Sequence, residues 1–303
     1  MVVLWVLAIL MVTVLSFSFV TRTETHATLG FKDTAERKFL AEAGIERAVI
    51  EILYRKQNIA NPITLEGSEV WKADGTMYKG QLGDGYYSVS IMGETGKIDI
   101  NKASEVLLKN LLLNSGLKED AADSIVDCIM DWKDPSGLTR LHGAGSDYYM
   151  SLPVPYGIKG ADFDTLEELL LVKGVTPALL YGDSSQKGII DFLTVNGLAQ
   201  IDLNYAPKEV LMALPGMSAG AADNIIQLRS DQPITNAQEA LAGASYQAMS
   251  PFVTAGEGNV FTIDAAGHKG NEETGYPIRA TVIIDTDNKC KYLYYKSPAY
   301  KVQ

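Results

Sequence analysis

One phrase occurs twice in this chain, as KIDINKASEVL at residues 97–107 and as QIDLNYAPKEVL at residues 200–211. Each copy is followed by a second shared phrase, GLKEDAADSI at residues 116–125 and GMSAGAADNI at residues 216–225. A short extended piece precedes an Asn in each copy, and two helices then follow around a glycine turn. The repeat therefore predicts one small helical device that the chain builds twice.

The asparagine of each copy, Asn101 or Asn204, precedes the first helix of its pair. Asn is a favoured N-cap residue because its side-chain oxygen accepts an unpaired backbone N–H, so we expect both to be caps. A third, partial copy, LEELLLVKGVTPALL at residues 166–180, turns at Gly174.

The device resembles the helix-hairpin-helix motif, whose turn amides contact DNA phosphates with help from nearby Lys or Arg. The second copy offers Lys208 and Arg229, and the first offers Lys109 and Lys118, each among a larger number of acids. The net charge of −11 also disfavours nucleic acid. The sequence favours a structural role for the helix pair over a DNA-binding role and predicts no nucleic-acid partner.

The first 20 residues, MVVLWVLAILMVTVLSFSFV, contain no charged side chain. Twenty helical residues at ~1.5 Å each span about 30 Å, the thickness of a bilayer's hydrocarbon core. A cleaved signal peptide, the alternative, has a positive start and a shorter apolar stretch, whereas no Lys or Arg precedes Arg22 here. The segment predicts a membrane helix.

Helical periodicity continues from residue 21 to residue 57 with one apolar face. Strand patterns then flank a block of short helices: GYYSVSIMG at residues 85–93 precedes it, and NVFTIDAAG, PIRATVIID and KYLYYKS follow it. The predicted helices of the block cover residues 104–114, 119–132, 165–172, 177–181, 207–214, 219–229 and 236–242.

These elements predict an α+β fold in which a long N-terminal helix packs on an antiparallel sheet and an all-helical domain is inserted. Residues 1–20 form the transmembrane part, and residues 21–98 the rest of the helix and the first strands. Residues 99–256 form the inserted helical domain with the duplicated device. Residues 257–303 supply the C-terminal strands that complete the sheet.

Acidic residues concentrate around the end of the predicted helix 119–132. Asp123, Asp127 and Asp131 repeat every four residues on one helix face, where like charges repel. Two interpretations stay open: a solvated acidic face whose charge is relieved by Lys118, Lys133 or Arg140, or a site for a hard cation such as calcium. The candidate calcium ligands are Asp131, Asp134, Asp147, Asp162 and Asp164.

No catalytic motif stands out: the sequence has no phosphate-binding glycine loop, zinc spacing or Gly-x-Ser-x-Gly elbow. Its three histidines, His26, His142 and His268, are far apart. We therefore expect no enzymatic activity. The two cysteines, Cys128 and Cys290, are expected to be separate thiols, although the sequence alone leaves their pairing open.

Together these features resemble the K-type minor pseudopilins of bacterial type II secretion systems, the general secretion pathway protein K family. The resemblance covers almost the whole chain. It is carried by VVLWVLAIL, RKFLAEAGIERAVIEI, KIDINKAS, DWKDPSG with GAGSDYYMSLPVPY, DTLEELLLVKGVT and QIDLNYAPKEVLMALPGMSAGAADNII. The resemblance implies a type IV pilin-like fold with a large helical insertion.

The resemblance also implies a function. It implies a subunit that starts and caps a periplasmic pseudopilus, with I- and J-type minor pseudopilins as partners, in support of the export of folded proteins. It implies an inner-membrane anchor at residues 1–20 and a periplasmic location from about residue 22. Other pilins carry a Glu in this helix, which pairs with a neighbouring subunit; residues 1–20 contain no acid. A membrane-anchored DNA-binding protein and a minor pilin of an adhesion filament stay open as alternatives.

The sequence departs from the family in two places. We expect the chain to begin a few residues inside the mature helix, without the prepilin leader. The acidic loop has Ser136 and Gly137 where the family has further acids, and Gly145 where it has Glu. The resemblance implies calcium binding in the helical domain, and the missing Glu is expected to weaken or remove the site.

Overall fold

A computed structural model of the chain describes residues 1–58, 71–183, 187–241, 244–256, 258–270, 274–285 and 287–299. One helix, α1 (Val2–Gln57), has 56 residues and is roughly 84 Å long at ~1.5 Å per residue. Residues 1–32 project from the rest of the molecule with every side chain exposed. The buried side chains of α1 begin at Leu40 and end at Ile52.

The strands are β1 (Asp74–Leu82), β2 (Gly85–Gly93), β3 (Ile98–Asp99), β4 (Leu193–Thr194), β5 (Ile201–Asp202), β6 (Val253–Thr254), β7 (Val260–Lys269), β8 (Tyr276–Ile284) and β9 (Cys290–Lys296). Five of them form an antiparallel sheet in the order β1-β2-β7-β8-β9. Because side chains alternate between the two faces of a strand, Ile263 and Ala265 of β7 face the packed half of α1. The packed half of α1 and this sheet are called the stalk below.

The chain leaves the sheet after β2 and returns to it at β7, although these two strands are hydrogen-bonded neighbours. The intervening segment folds around its own core, which runs from Ile98 to Val253. Residues 98–254 are called the head below. Its helices are α2 (Glu105–Asn114), α3 (Glu119–Lys133), α4 (Ser146–Met150), α5 (Pro177–Tyr181), α6 (Lys208–Met212), α7 (Ala219–Asp231), α8 (Ala237–Ala240) and α9 (Ala244–Met249).

The structure confirms the predicted fold class, a long N-terminal helix on an antiparallel sheet with a helical region. Several element predictions need correction. Residues 165–172 form a 3-10 helix over Leu166–Leu171, and the helix predicted for 207–214 covers only Lys208–Met212. Helices α4 and α9 were not predicted, because elements of five and six residues show little helical period in the sequence. Residue 242, the predicted end of one helix, lies outside the described residues.

Helix α1 crosses the sheet over glycines. A Cβ atom at Gly267 would overlap the carbonyl oxygen of Arg37 and the amide nitrogen of Ala41. On the helix side, a Cβ at Gly44 would lie 3.2 Å from the ring of Tyr87. The backbones of helix and strand therefore approach each other more closely than any other residue type would allow.

We predict that Gly267→Ala destabilises the stalk by about 2–4 kcal/mol, because the added methyl group pushes α1 off the sheet. Thermal unfolding of the full chain in detergent measures this change. Gly220→Ala is the matched control, since Gly220 lies in α7 with no atom within 4 Å of a Cβ. Ala at that helical position is expected to stabilise by up to about 1 kcal/mol. Equal effects of both changes would contradict the close approach.

Candidate functional site: the duplicated head and the projecting helix

Both copies of the repeated phrase form the same turn. Asp99 ends β3, and its carboxylate accepts the amides of Asn101 at 2.8 Å and of Gly197 at 2.9 Å. Asp202 ends β5 in the second copy, and its carboxylate accepts the amide of Asn204 at 2.9 Å. Each copy starts from a parallel strand pair, β3 with β4 or β5 with β6. The sequence repeat is therefore also a structural repeat.

The repeated asparagines act as clamps between segments. The side chain of Asn101 donates to the carbonyl oxygen of Phe163 at 3.0 Å and accepts its amide at 2.8 Å. Asn204 makes the same two bonds to Ile234, at 2.9 and 2.8 Å. Each Asn side-chain amide thus bonds both the backbone N–H and the backbone C=O of one residue in another loop, as a neighbouring strand would. These two bonds satisfy backbone groups that are buried.

The predicted N-cap role of Asn101 and Asn204 is wrong. Ser104 caps α2, three residues beyond the Asn, and a proline occupies the N-cap position of α6. The helices begin later than predicted because the Asp and Asn of the phrase first form a hydrogen-bonded turn. Such turns compete with helix for the backbone groups of short polar residues.

A cation from the second helix of each pair completes the network. Lys133 at the end of α3 donates to the carbonyl oxygen of Ile100 at 3.1 Å and to that of the next residue at 2.9 Å. Arg229 in α7 donates to the carbonyl oxygens of Leu203 and Ala206, at 2.9 and 2.7 Å. These bonds tie the second helix of each hairpin back to its first phrase.

The hairpin turns themselves are poorly suited to DNA. Lys109 pairs with both Glu119 and Asp123, and Lys208 pairs with Asp223 at 2.6 Å. Arg229 is bound to backbone carbonyl oxygens. Three of the four cations considered for phosphate binding therefore have partners within the fold, and the fourth, Lys118, is exposed. The geometry favours the structural interpretation of the hairpins.

The two copies differ at one position that matters for the architecture. The first copy has Lys102, whose amine donates to the carbonyl oxygen of Gly197 and whose side chain is half exposed. The second copy has Tyr205, which is buried in the core of the stalk. Its ring meets Phe261 edge to face, and its hydroxyl accepts from Arg55 at 3.2 Å. The second copy therefore attaches the head to the stalk.

At the junction between head and stalk, two glycine positions next to Tyr205 have no room for a side chain. A Cβ at Gly93 or Gly96 would overlap the ring or backbone of Tyr205. Beside this contact, the buried carboxylate of Glu94 pairs with Lys97 at 2.6 Å and accepts the hydroxyl of Thr194. The head is thus held at a defined position on the end of the sheet.

The structure does not bring the five candidate calcium ligands together at one position. Asp131 is 1% exposed, and its carboxylate accepts hydrogen bonds from the loop that follows it. Asp134 accepts the amide two residues later, Asp164 pairs with a lysine, and Asp147 and Asp162 are exposed. Calcium takes six to eight oxygens. In the part of the chain that the structure describes, no three Asp, Glu, His or Cys side chains converge on a possible metal position. The five residues as arranged do not fit a calcium ion, and calcium binding stays a prediction of the resemblance.

The cysteines and histidines lie in separate places. Cys128 is buried in the head and Cys290 lies at the start of β9 in the stalk, and both are free thiols. His268 is buried in β7, where it stacks on Tyr86. His142 lies in the head loop and is exposed. Among the described residues neither cysteine contacts a histidine ring, and the ring of His268 is hydrogen-bonded to the hydroxyl of Ser88 at 3.1 Å.

The projecting half of α1 is the apolar half. Within α1 an 18-residue stretch has a mean hydropathy of 2.6 and no buried residue, so length and composition allow this helix to cross a membrane. The packed half begins at an ion-pair cluster in which Lys269, at the end of β7, pairs with Asp33 at 2.7 Å and with Glu36. The amine's bonds to these two carboxylates raise the pKa of Lys269. The cluster marks where the helix leaves the sheet.

A long helix with one apolar projecting half, packed on an antiparallel sheet, is the architecture of a pilin-like subunit, and the helical head is an insertion into it. The chain belongs to the type II secretion system protein K family. Two models described as "Type II secretion system (T2SS), protein K" match residues 89–181 and 201–263, together about half of the chain.

The chain is also similar to two known proteins, one in sequence and one in fold. The chain is 35% identical over 65 residues to the type II secretion system protein K of Pectobacterium carotovorum subsp. carotovorum; the match spans 22% of this chain and 20% of that protein. Its fold is similar to a chain in the crystal structure of the GspK-GspI-GspJ complex from the enterotoxigenic Escherichia coli type 2 secretion system. That similarity has a TM-score of 0.59 at 14% identity and covers 91% of this chain and 98% of the other.

We predict that Asn204→Ala destabilises the head by about 2–4 kcal/mol, because it leaves the buried amide and carbonyl of Ile234 without partners. Thermal unfolding of the full chain measures the loss. The matched control is Asn236→Ala, which removes an exposed N-cap and is expected to cost about 1 kcal/mol. A loss at residue 204 no larger than that of the control would contradict the clamp.

Asp202 gives the head a defined pH dependence. Burial raises the pKa of Asp202 to about 6, partly opposed by hydrogen bonds from the amides of Asn204 and Gly256. A folded-state pKa above the unfolded value adds stability at low pH, and this stability is lost as the pH rises through about 6. Relative to Asp202→Asn, the wild type should gain up to about 3 kcal/mol between neutral pH and pH ~4. Urea unfolding of both proteins across this range measures it, and a constant difference would contradict the assignment.

Proposed function

We propose that this chain is a non-enzymatic minor pseudopilin at the tip of the type II secretion pseudopilus. There it starts and caps the filament and so supports the export of folded proteins across the outer membrane. Residues 1–20 anchor it in the bacterial inner membrane as a single helix, and the chain from about residue 22 onward lies in the periplasm. Family membership and the projecting apolar helix support this proposal.

The position of the head is the observation that carries the tip assignment. The apolar half of α1 extends out of the stalk from the ion pair between Lys269 and Asp33. Tyr205 of the head bonds to Arg55 near the other end of the same helix. The head therefore sits at the end of the stalk remote from the membrane segment. In a filament whose subunits align their long helices with its axis, this end faces the next subunit, and the head would cover it.

The composition of the projecting helix agrees with the proposed membrane anchor. Residues 1–20 contain no acidic side chain that could pair with the N-terminal amine of another subunit. A charged side chain within the bilayer is costly and is retained where it has a function. The absence of such a charge from residues 1–20 therefore suits the proposed membrane anchor.

The partners follow from the family. The similar structure is a complex of GspK with GspI and GspJ. We therefore propose that this chain binds the I- and J-type minor pseudopilins and, through them, the rest of the pseudopilus. The paired cations of the hairpins support a scaffold role for the head without nucleic acid.

Co-expression tests the proposal. The full chain is expressed with the I- and J-type pseudopilins of the same bacterium, extracted in detergent and analysed by size exclusion with mass determination. We expect one complex with a single copy of each subunit. Elution of the chain alone, with the other two proteins present and folded, would contradict the tip assignment.

DNA binding tests the main alternative, a membrane-anchored helix-hairpin-helix protein. Fluorescence anisotropy of a labelled duplex at low salt should show no saturable binding by the full chain, since three hairpin cations have internal partners. Saturable, salt-sensitive binding that Lys109→Gln or Lys208→Gln weakens would favour the alternative instead.

A further inference from the structure

Among the buried carboxylates of the head, that of Asp131 is enclosed by the loop that follows it in the sequence. Asp131 lies near the end of α3 and is 1% exposed. Its oxygens accept the backbone amide of Arg140 at 3.2 Å and that of Ala144 at 3.1 Å. The guanidinium group of Arg140 donates to the same carboxylate at 3.2 Å. Both oxygens of Asp131 therefore have partners, and one partner is a full positive charge.

The loop backbone lies directly against this carboxylate. A Cβ at Gly143 would overlap an oxygen of Asp131, so only glycine allows the loop to close at this distance. A Cβ at Gly145 would overlap the hydroxyl oxygen of Thr139. At the position where the resembled family carries Glu, a side chain would therefore require the Thr139 hydroxyl to move.

The neighbouring acids are also used within the loop. Asp127 accepts the amide of His142 at 3.0 Å, and Asp134 accepts the amide of Ser136 at 2.8 Å. The second terminal nitrogen of Arg140 reaches Glu105 of α2 at 3.4 Å. Arg140 therefore links a carboxylate of α2 with a carboxylate of α3.

We propose that Arg140 replaces a metal ion in this chain. Its guanidinium group neutralises Asp131, and the backbone amides of the loop supply the remaining hydrogen bonds, so the loop from Asp134 to Asp147 stays closed without calcium. A buried carboxylate needs a compensating charge and hydrogen bonds, and this loop provides both from its own residues. Assembly of the tip complex would then also be independent of calcium, a consequence that rests on the proposed function.

The first test uses the wild-type full chain in detergent, without partners. Calcium binding is measured by titration calorimetry, and the melting temperature is compared in calcium chloride and in excess chelator. We expect no saturable binding and no measurable change in melting temperature. Saturable binding with a raised melting temperature, both abolished by Asp131→Asn, would overturn the proposal. Because no partner is present, this result is independent of whether the chain assembles with other pseudopilins.

The second test uses Arg140→Gln, with chymotrypsin to probe the exposed residues Leu138 and Leu141 of the loop. Loss of the guanidinium group leaves the Asp131 charge uncompensated, so the melting temperature should fall by roughly 4–8 °C and cleavage of the loop should accelerate. Arg47→Gln is the matched control, since Arg47 pairs with Glu51 within α1, away from the loop. Loop cleavage of the Arg140 variant at the rate of the control would overturn the proposal.

Discussion

The contact of Tyr205 with the stalk is the interaction on which the arrangement of the molecule depends. Its neighbours in sequence, Leu203 and Ala206, belong to the core of the head, whereas Tyr205 itself belongs to the core of the stalk. A single turn of the chain thus contributes to both cores. The bond from Arg55 fixes this turn against the end of α1, so the head has one defined position relative to the long helix.

The duplication explains why such a contact could arise. Both copies use the same Asp turn, the same Asn clamp and a cation from the second helix, and these groups are satisfied within the head. The position after the Asn differs between the copies. In the first copy Lys102 reaches back to the turn, where its amine lies 3.3 Å from the carboxylate of Asp99, whereas in the second copy Tyr205 lies in the stalk core. One copy therefore stabilises the head, and the other also connects it.

The sequence predicts the periodic parts of the structure well and the long-range polar parts poorly. The strand predicted at residues 85–93 has those bounds in the structure, because its β-branched and aromatic residues alternate clearly. The clamp by Asn101 was missed, since its partner, Phe163, is 62 residues away and local preference favours a helix cap. Arg140 was one of three cations that the sequence offered to relieve the acidic face, but only the folded loop shows that it is the one that pairs with Asp131.

Calorimetry of a Tyr205 variant tests most directly whether this residue joins the two cores. The full chain in detergent should unfold in one transition, because the head and the stalk share the Tyr205 contact. Tyr205→Ala should separate unfolding into two transitions, one for each core, whereas Lys102→Ala at the matching position of the first copy should preserve the single transition. A single transition in the Tyr205 variant, or two transitions already in the wild type, would contradict the account.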